Sequence, residues 1–230
     1  MYYKPCHPAN YSDQKRTKDH VKYIVVHYTG NNGDTARNNL EFFAREATKT
    51  SAHYFVDENE VCCSVPWFHT AYHCGGSVQS GNPAFYRKCT NSNSIGVELC
   101  SRKRVNGNYY FLEKTVSNAA AFVAQLMKDY NVPIERVIRH YDVVGKICPA
   151  PFIDEKEWAA FKNLVVRKYD GEEDEAMYYE KLEEIPAGEL RETVATLMEQ
   201  GIVKGKSTGL HLSEDMVRVL VFCYRMIKRA

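Results

Sequence analysis

A histidine, a lysine and a cysteine fall within nine positions of the segment His140-Tyr141-Asp142-Val143-Val144-Gly145-Lys146-Ile147-Cys148-Pro149-Ala150-Pro151. Gly145, Pro149 and Pro151 break it too often for one helix. Neutral imidazole and thiolate are both zinc ligands, and a catalytic zinc typically takes three protein ligands and leaves a fourth position for water. His140 and Cys148 are eight apart, so a turn can bring them to one ion. His27 is the candidate third ligand. It ends the apolar run Tyr23-Ile24-Val25-Val26, and the carboxyl end of a buried strand is a common place for functional groups in α/β proteins. The same residues admit two other readings: Cys148 as a nucleophile with His140 as its base, or a loop without chemistry. Spacing alone leaves all three open.

These side chains need a frame to position them. Tyr23 to Val26, apolar and β-branched, predicts a buried strand. Asp34 or Thr35 is placed to cap a helix carrying Ala36, Leu40, Phe43, Ala44 and Ala47 on one face. Extended stretches follow around His53 to Val56, Val61 to Val65 and Ser94 to Leu99. Val116, Ala119, Ala120, Val123, Leu126, Met127 and Tyr130 recur at helical spacing ahead of a short strand at Val137-Ile138. A further helical pattern covers Ile153 to Val166. Strands interleaved with helices predict an α/β domain over residues 1–166, a sheet covered by helices. The charged run at 167–176, with Gly171 inside it, reads as a linker, its Glu172 to Glu175 portion as a solvated hinge. Residues 177–230 then form a small α-helical module. In it Leu190, Val194, Leu197 and Met198 make a stripe that stops at Gly201, and Ser213 is placed to cap a helix carrying Met216, Val217, Leu220, Val221, Tyr224 and Ile227. So small a module buries its apolar faces marginally, and is expected to lean on the main domain, on a second copy as a homodimer, or on a ligand.

Composition narrows the class. Of 230 residues 44% are hydrophobic and 26% charged, which suits a globular chain rather than a disordered or fibrous one. The net charge of +1 gives no reason to expect nucleic acid or an anionic membrane as the main partner. The N-terminal MYYKPCHPANYSDQKR has no apolar segment after its charges, and no later apolar run reaches the roughly 18 residues of a membrane span. A chain made and kept in the cytoplasm is the expectation. The eight cysteines include no CxxC pair, so a disulfide framework is not expected; apart from a ligand, they read as small buried hydrophobes, Cys100 and Cys223 among them.

Five segments, Val26-His27-Tyr28-Thr29-Gly30, Ser51-Ala52-His53-Tyr54, Ala71-Tyr72-His73-Cys74-Gly75, Ser94-Ile95-Gly96-Val97-Glu98 and Arg139-His140-Tyr141-Asp142 to Lys146-Ile147-Cys148-Pro149, stand in one order. In that order they resemble the motifs of zinc-dependent N-acetylmuramoyl-L-alanine amidases, the amidase type 2 family that includes phage endolysins and is similar to the peptidoglycan recognition proteins. The resemblance covers about residues 20 to 165. It implies a central mixed β-sheet flanked by helices, with zinc in a groove on one side. The activity it implies is hydrolysis of the amide between the lactyl group of N-acetylmuramic acid and L-alanine of the stem peptide. His27, His140 and Cys148 would be the zinc ligands, Lys146 the cation that stabilises the charged intermediate, and Glu98 the general base. One branch of the family uses instead a tyrosine just before the histidine of the second motif; Ala52 stands there, which favours Glu98. Tyr72 and His73 fall on a segment that lines the substrate groove in that family, where they read equally as contacts to sugar or peptide or as packing residues.

That chemistry suits the residue types. Zinc lowers the pKa of bound water to about 7 and polarises a carbonyl, a carboxylate in a partly desolvated groove is raised above ~4.3 and can move a proton, and a fixed ammonium stabilises an oxyanion. His53 reads as a hydrogen-bonding neighbour of a loop. Arg139 and Asp142 read equally as supports of His140 or as a surface pair. The resemblance implies an endolysin or autolysin with peptidoglycan as partner, cytoplasmic until released to the wall. A peptidoglycan receptor that has lost the chemistry is one alternative, against which Cys148 argues; a cytoplasmic amidase recycling muropeptides is another, and it would not need the C-terminal module. Ile185-Pro186, Val194 to Gly201 and Gly209 to Ser213 resemble, more weakly, segments attached to amidases of Gram-positive bacteria and their phages, and a surface-layer-homology repeat. Wall attachment is therefore expected beside self-association.

Overall fold

Ile24, Val25 and Val26 lie on an inner strand of a sheet, one that is apolar on both sides, so each face needs a cover. The computed structural model describes residues 1–172, 178–205 and 209–228. Its strands are β1 (Tyr2–Tyr3), β2 (Tyr11–Ser12), β3 (Tyr23–Tyr28), β4 (Tyr54–Val56), β5 (Val61–Cys63), β6 (Thr70–Ala71), β7 (Ser94–Leu99), β8 (Arg102–Lys103), β9 (Tyr109–Tyr110) and β10 (Val137–Arg139). The main sheet runs β1-β5-β4-β7-β3-β10. Its β4–β5 pair is antiparallel and its other pairs are parallel, which makes it mixed, as expected. β2 pairs with β6, and β8 with β9, as short antiparallel ribbons.

Alternation along the strands sorts residues between two faces. Ile24, Val26, Tyr54, Val56, Ile95, Val97 and Leu99 point to one face, where α2 (Glu113–Tyr130) and α4 (Glu155–Asp170) cover them through Ala119, Val123, Leu126, Trp158 and Phe161. On the other face Val25 and Ile138 meet Cys74, Cys89, Val143 and Val144, and Phe55 meets Leu40 of α1 (Ala36–Arg45). That second face also carries His27, Gly96 and Glu98. Thr35 caps α1, its Oγ1 accepting the Asn38 N–H.

Asp154 caps α4 by accepting the N–H groups of Lys156 and Glu157, and Gly171 closes it at φ 82°. No helix breaker precedes Gly171, so Arg167 to Asp170, expected at the start of the linker, complete the last turn instead. The rest of the expected hinge, from residue 173 to 176, lies outside the described residues. The segment from His140 also differs in part from its reading. Its first five residues form a short helix, α3 (His140–Val144), and the break comes only at Gly145, φ 72°. A Cβ at Gly145 would stand 2.1 Å from the Ser80 carbonyl oxygen, so the close approach of that loop also requires glycine.

The chain divides into two compact units, Met1–Glu173 and Asp174–Ala230. In the second, β11 (Tyr178–Tyr179) pairs with β12 (Leu212–Ser213), and α5 (Glu189–Glu199) packs on α6 (Glu214–Lys228) around Ile185, Val194, Leu210 and Val217. Gly201, at φ 70°, follows α5 and donates to Met198, while Ser213 Oγ accepts the Met216 N–H at the start of α6. The apolar residues of α6 do not share one face. Val217 and Val221 are buried, whereas Met216, Val219, Phe222, Met226 and Ile227 are exposed, as is Cys223, which is therefore not a packing thiol. Helix period explains this: residues 217 and 221 are one turn apart on the α5 side, and 219, 222, 223 and 226 fall opposite. Among the described residues no helix is long and apolar enough to cross a membrane.

Phe161 is 2% exposed and stacks between Phe152 and Trp158, with ring centroids at 4.9 and 5.6 Å. Phe161→Ala is expected to remove about 3–5 kcal/mol of stability, read as a lower urea midpoint with an unchanged m-value in the transition of the first unit.

Candidate metal centre

β3 and β7 pair in parallel with His27 opposite Glu98, so the two side chains leave the same face side by side. Glu98 Oε1 lies 4.0 Å from His27 Nδ1. His140 starts α3 directly after the edge strand β10, and its ring centroid is 4.8 Å from that of His27. Cys148 Sγ, brought back by the turn after Gly145, is 3.6 Å from His27 Nδ1. One donor atom from each of His27, His140 and Cys148 lies within 4.8 Å of the others, and all three residues are buried. Among the described residues, both ring nitrogens of His140 and Oε2 of Glu98 are buried without a hydrogen-bond partner. An unpaired buried polar atom costs about 1–3 kcal/mol, so a group that accepts these donors is favoured. A metal ion fits.

The orientation of His27 follows from a chain of hydrogen bonds beneath it. Its Nε2 faces His73 Nδ1 at 3.0 Å; His73 Nε2 is 3.1 Å from Ser94 Oγ; and Ser94 Oγ donates to the Thr90 carbonyl at 2.6 Å. The fixed acceptor at Thr90 sets the direction of the whole chain: Ser94 accepts from His73 Nε2–H, His73 accepts from His27 Nε2–H, and the His27 Nδ1 lone pair is left facing Cys148. A metal-binding histidine is commonly held this way by its other nitrogen. Gly96 makes room for it, since a Cβ there would stand 2.6 Å from His73 Cγ.

Burial sets the protonation of each group. It holds His27 well below its ordinary value, with His140, His73 and Lys146 adding to the effect, and it lowers His140 to about 4 with help from Lys146. Both imidazoles are therefore neutral at pH 7, the form that binds metal. Burial acts oppositely on the acids, raising Cys148 to about 12 and Glu98 to about 8, against the lowering by Lys146. Lys146 is exposed, and its charge acts on His27, His140, Glu98 and Cys148 alike. It does not lie on an extended segment. The Cys148 N–H donates to the Lys146 carbonyl at 2.7 Å, a tight turn that leaves Ile147 66% exposed between them.

The two expected substrate contacts separate. Tyr72 is half-exposed and its side chain stays available. His73 is buried against Gly96, its ring held near pKa 3 by burial, and both its nitrogens are used in the chain just described; it is a support for His27 rather than a wall of the groove. His53 is fully buried and stays out of the cluster, with Nδ1 accepting the Gly96 N–H and Nε2 facing Arg16 and the His69 carbonyl. Arg139 is not a surface residue. At 4% exposure it pairs with Asp142 and Glu155 and donates to the carbonyls of Phe152 and Ile153, so it ties the start of α3, which carries His140, to the turn beyond Cys148. Sequence reading missed the parts of Ser94 and Gly96, although a glycine inside an otherwise apolar buried strand is a signal of close approach.

A mixed sheet that gathers two imidazoles, a thiol and a carboxyl beside the carboxyl ends of β3, β7 and the edge strand β10 defines an α/β protein with the donor set that a hydrolase-type metal site uses. The family model described as N-acetylmuramoyl-L-alanine amidase, amidase type 2, matches residues 16–151. The chain belongs to that family. It is 38% identical over 151 residues to the N-acetylmuramoyl-L-alanine amidase CwlL of Bacillus licheniformis, covering 63% of this chain and 41% of that protein. It is 36% identical over 160 residues to the N-acetylmuramoyl-L-alanine amidase BlyA of Bacillus subtilis (strain 168), covering 66% of this chain and 42% of the relative. The solved structure of PlyL superposes with a TM-score of 0.56 at 32% identity, covering 72% of this chain and 96% of PlyL. The match thus spans less than half the length of the two curated relatives.

Gly96→Ala is expected to push His73 from its seat, to lower stability by about 1–3 kcal/mol, and to weaken binding of a divalent metal by about 10–100-fold through the freed His27. Urea unfolding and metal titration of the purified variant check both.

Proposed function

We propose that this chain is a peptidoglycan hydrolase that cleaves the amide between N-acetylmuramic acid and L-alanine of the stem peptide, with zinc as its cofactor. The convergence of His27, His140 and Cys148 in a chain of the amidase family carries this reading. Two nitrogen donors and one sulfur donor match the preference of zinc, and three protein ligands leave a position open. When bound, zinc supplies the charge that acidifies a water and polarises the scissile carbonyl.

The chain's residues do the rest. His27, held at Nε2 by His73, presents Nδ1; His140 and Cys148 close the ligand set. Glu98 takes the proton of the attacking water at its carboxylate and delivers it to the leaving nitrogen of L-alanine. Burial raises its pKa to about 8, which suits delivery of the proton, and a divalent charge at the three donors would lower it toward the carboxylate that the first half requires. The Lys146 ammonium offers charge to the former carbonyl oxygen as it becomes negative. Tyr72 contacts the substrate beside them. This set also supports catalysis over a receptor role, because neither Glu98 nor Lys146 is needed for binding alone. The proposed place of action is the cell wall, reached on release from the cytoplasm, as for an endolysin or autolysin.

For the C-terminal unit we propose self-association as a homodimer. Met216, Val219, Cys223 and Met226 are exposed and spaced three, four and three apart, the seam spacing by which one helix packs against a copy of itself. Sedimentation of the full chain should find a dimer, and Val219→Glu a monomer with unchanged helix content; a monomeric wild type would leave wall attachment as the reading for this unit.

The amidase reading is tested on purified walls. The wild type should hold about one zinc per chain and release L-alanine amino termini, and a chelator should abolish the activity. Cys148→Ala should lose the metal. Glu98→Gln should keep it and lose about 10²–10⁴-fold in kcat. Chelator-resistant lysis would sink the zinc mechanism, and normal turnover by Glu98→Gln would remove Glu98 as the base.

A further inference from the structure

The hydrogen bonds beneath His27 end on a turn at residues 90–94, and that turn is held by a side chain from the N-terminal segment. Arg16 is 8% exposed. Burial lowers its pKa to about 10, so its guanidinium is still a cation at pH 7. Its Nη1 donates to the carbonyls of Asn91, Ser92 and Ser94 at 3.2, 3.0 and 2.8 Å. Its Nε donates to the Trp67 carbonyl at 2.6 Å, and its backbone N–H to the Phe68 carbonyl at 2.9 Å. One residue thus bridges the segment at 67–68 and the turn before β7.

That turn grips His73 twice. Ser94 Oγ accepts from the imidazole at Nε2, and Asn91 Oδ1 accepts the backbone N–H groups of His73 and Cys74 at 3.0 and 2.8 Å. His73 then meets His27 Nε2. The carbonyls of Asn91, Ser92 and Ser94 converge on one point, an arrangement that leaves them unpaired unless a group with several donors stands there. A guanidinium does this with a planar fork whose donors point in fixed directions, whereas a lysine ammonium is a point charge on a flexible stem.

We propose that Arg16 is a positioning residue for the metal centre. By fixing the 90–94 turn it sets the direction of the Thr90–Ser94–His73 chain, and through that chain it decides which nitrogen of His27 faces Cys148 and His140. Among its hydrogen bonds to described residues none reaches a ligand, Glu98 or Lys146, so its influence passes through His73. The inference rests on the proposed amidase function for what His27 holds, and not for how His27 is aimed.

The aim is read first without metal. In the full chain labelled with nitrogen-15 at histidine, His27 and His73 are each expected as a single tautomer protonated at Nε2, and in Arg16→Lys as mixtures of both. Binding of cobalt(II) is then followed by the visible absorption of the bound ion. Arg16→Lys should keep the helix content of the wild type and bind cobalt about 10-fold more weakly, and Ser94→Ala should lose at least about as much. The double variant should lose no more than Ser94→Ala alone, since both changes act on one chain. Arg37→Lys, at an exposed arginine paired with Glu60, should bind cobalt as the wild type does.

Single tautomers or undiminished cobalt affinity in Arg16→Lys, losses that add in the double variant, or an equal loss in Arg37→Lys would each overturn the positioning role. Failure of both Arg16→Lys and Arg16→Gln to fold would also overturn it, by assigning Arg16 to the fold alone. If the wild type binds neither cobalt nor zinc while Arg16→Lys still mixes the tautomers, the zinc reading fails and the positioning of His27 stands.

Discussion

Because β3 and β7 pair in parallel with His27 opposite Glu98, a ligand and a carboxyl emerge together from one face of the sheet, and the rest of the site is assembled around that pair. The register leaves no freedom. A slip of one residue would turn Val26 or Val97 to the site face and send His27 or Glu98 into the helical side, among Trp158 and Phe161. The full burial of Ile24, Val26, Ile95, Val97 and Leu99 is therefore also what holds the chemistry in place. At about 1.5–3 kcal/mol for each such side chain, the apolar face outweighs the cost of the polar residues on the opposite one.

Each polar residue on that face is then held from below or from the side. His27 stands on His73 and Ser94, and His73 fits only because position 96 has no side chain. His140 and Cys148 arrive on a segment whose two ends are clamped by Arg139, through Asp142 and Glu155 and the carbonyls before α4. The loop before β7 adds a third restraint, since the Gln79 N–H and the Ser80 hydroxyl donate to the carbonyls of Val144 and Gly145. Removing any one of these supports would leave the donor atoms present but loosely aimed, which at a metal site is a loss of affinity rather than of fold.

Much of the fold was legible because it depends on periodicity. The apolar run at Tyr23 to Val26, the alternation in Ser94 to Leu99 and the helical stripe from Val116 to Tyr130 each state their own burial, and each became the expected element. His27, His140 and Cys148 were singled out by a resemblance, and the three residues do come together. Relations between distant segments were not legible. His73 looked like a groove residue because its motif segment lines the groove in the resembling family, and only the approach of Gly96 shows its ring turned inward. Arg139 could not be told from a surface partner of Asp142, since nothing local announces the carbonyls of Phe152 and Ile153. The exposed face of α6 was hidden for a similar reason: helical spacing shows which residues are apolar, and not which of two apolar faces has a neighbour.

Burial affects the members of this cluster in opposite ways, and the contrast shows what the cluster lacks. A low-dielectric setting disfavours charge whatever its sign, so His27 and His140 are kept neutral while the Cys148 thiol and the Glu98 carboxyl are kept protonated. The imidazoles are thus already in their ligand form, but the thiol is not yet a ligand and the carboxyl is not yet a base. Lys146 pulls both acids toward ionisation and is too exposed to do so fully. A divalent charge held by His27, His140 and Cys148 would act in the same direction, favouring the Cys148 thiolate and the Glu98 carboxylate while leaving the imidazoles neutral. One ion would therefore convert the acids without disturbing the bases, which agrees with the convergence of the three donor atoms within 4.8 Å.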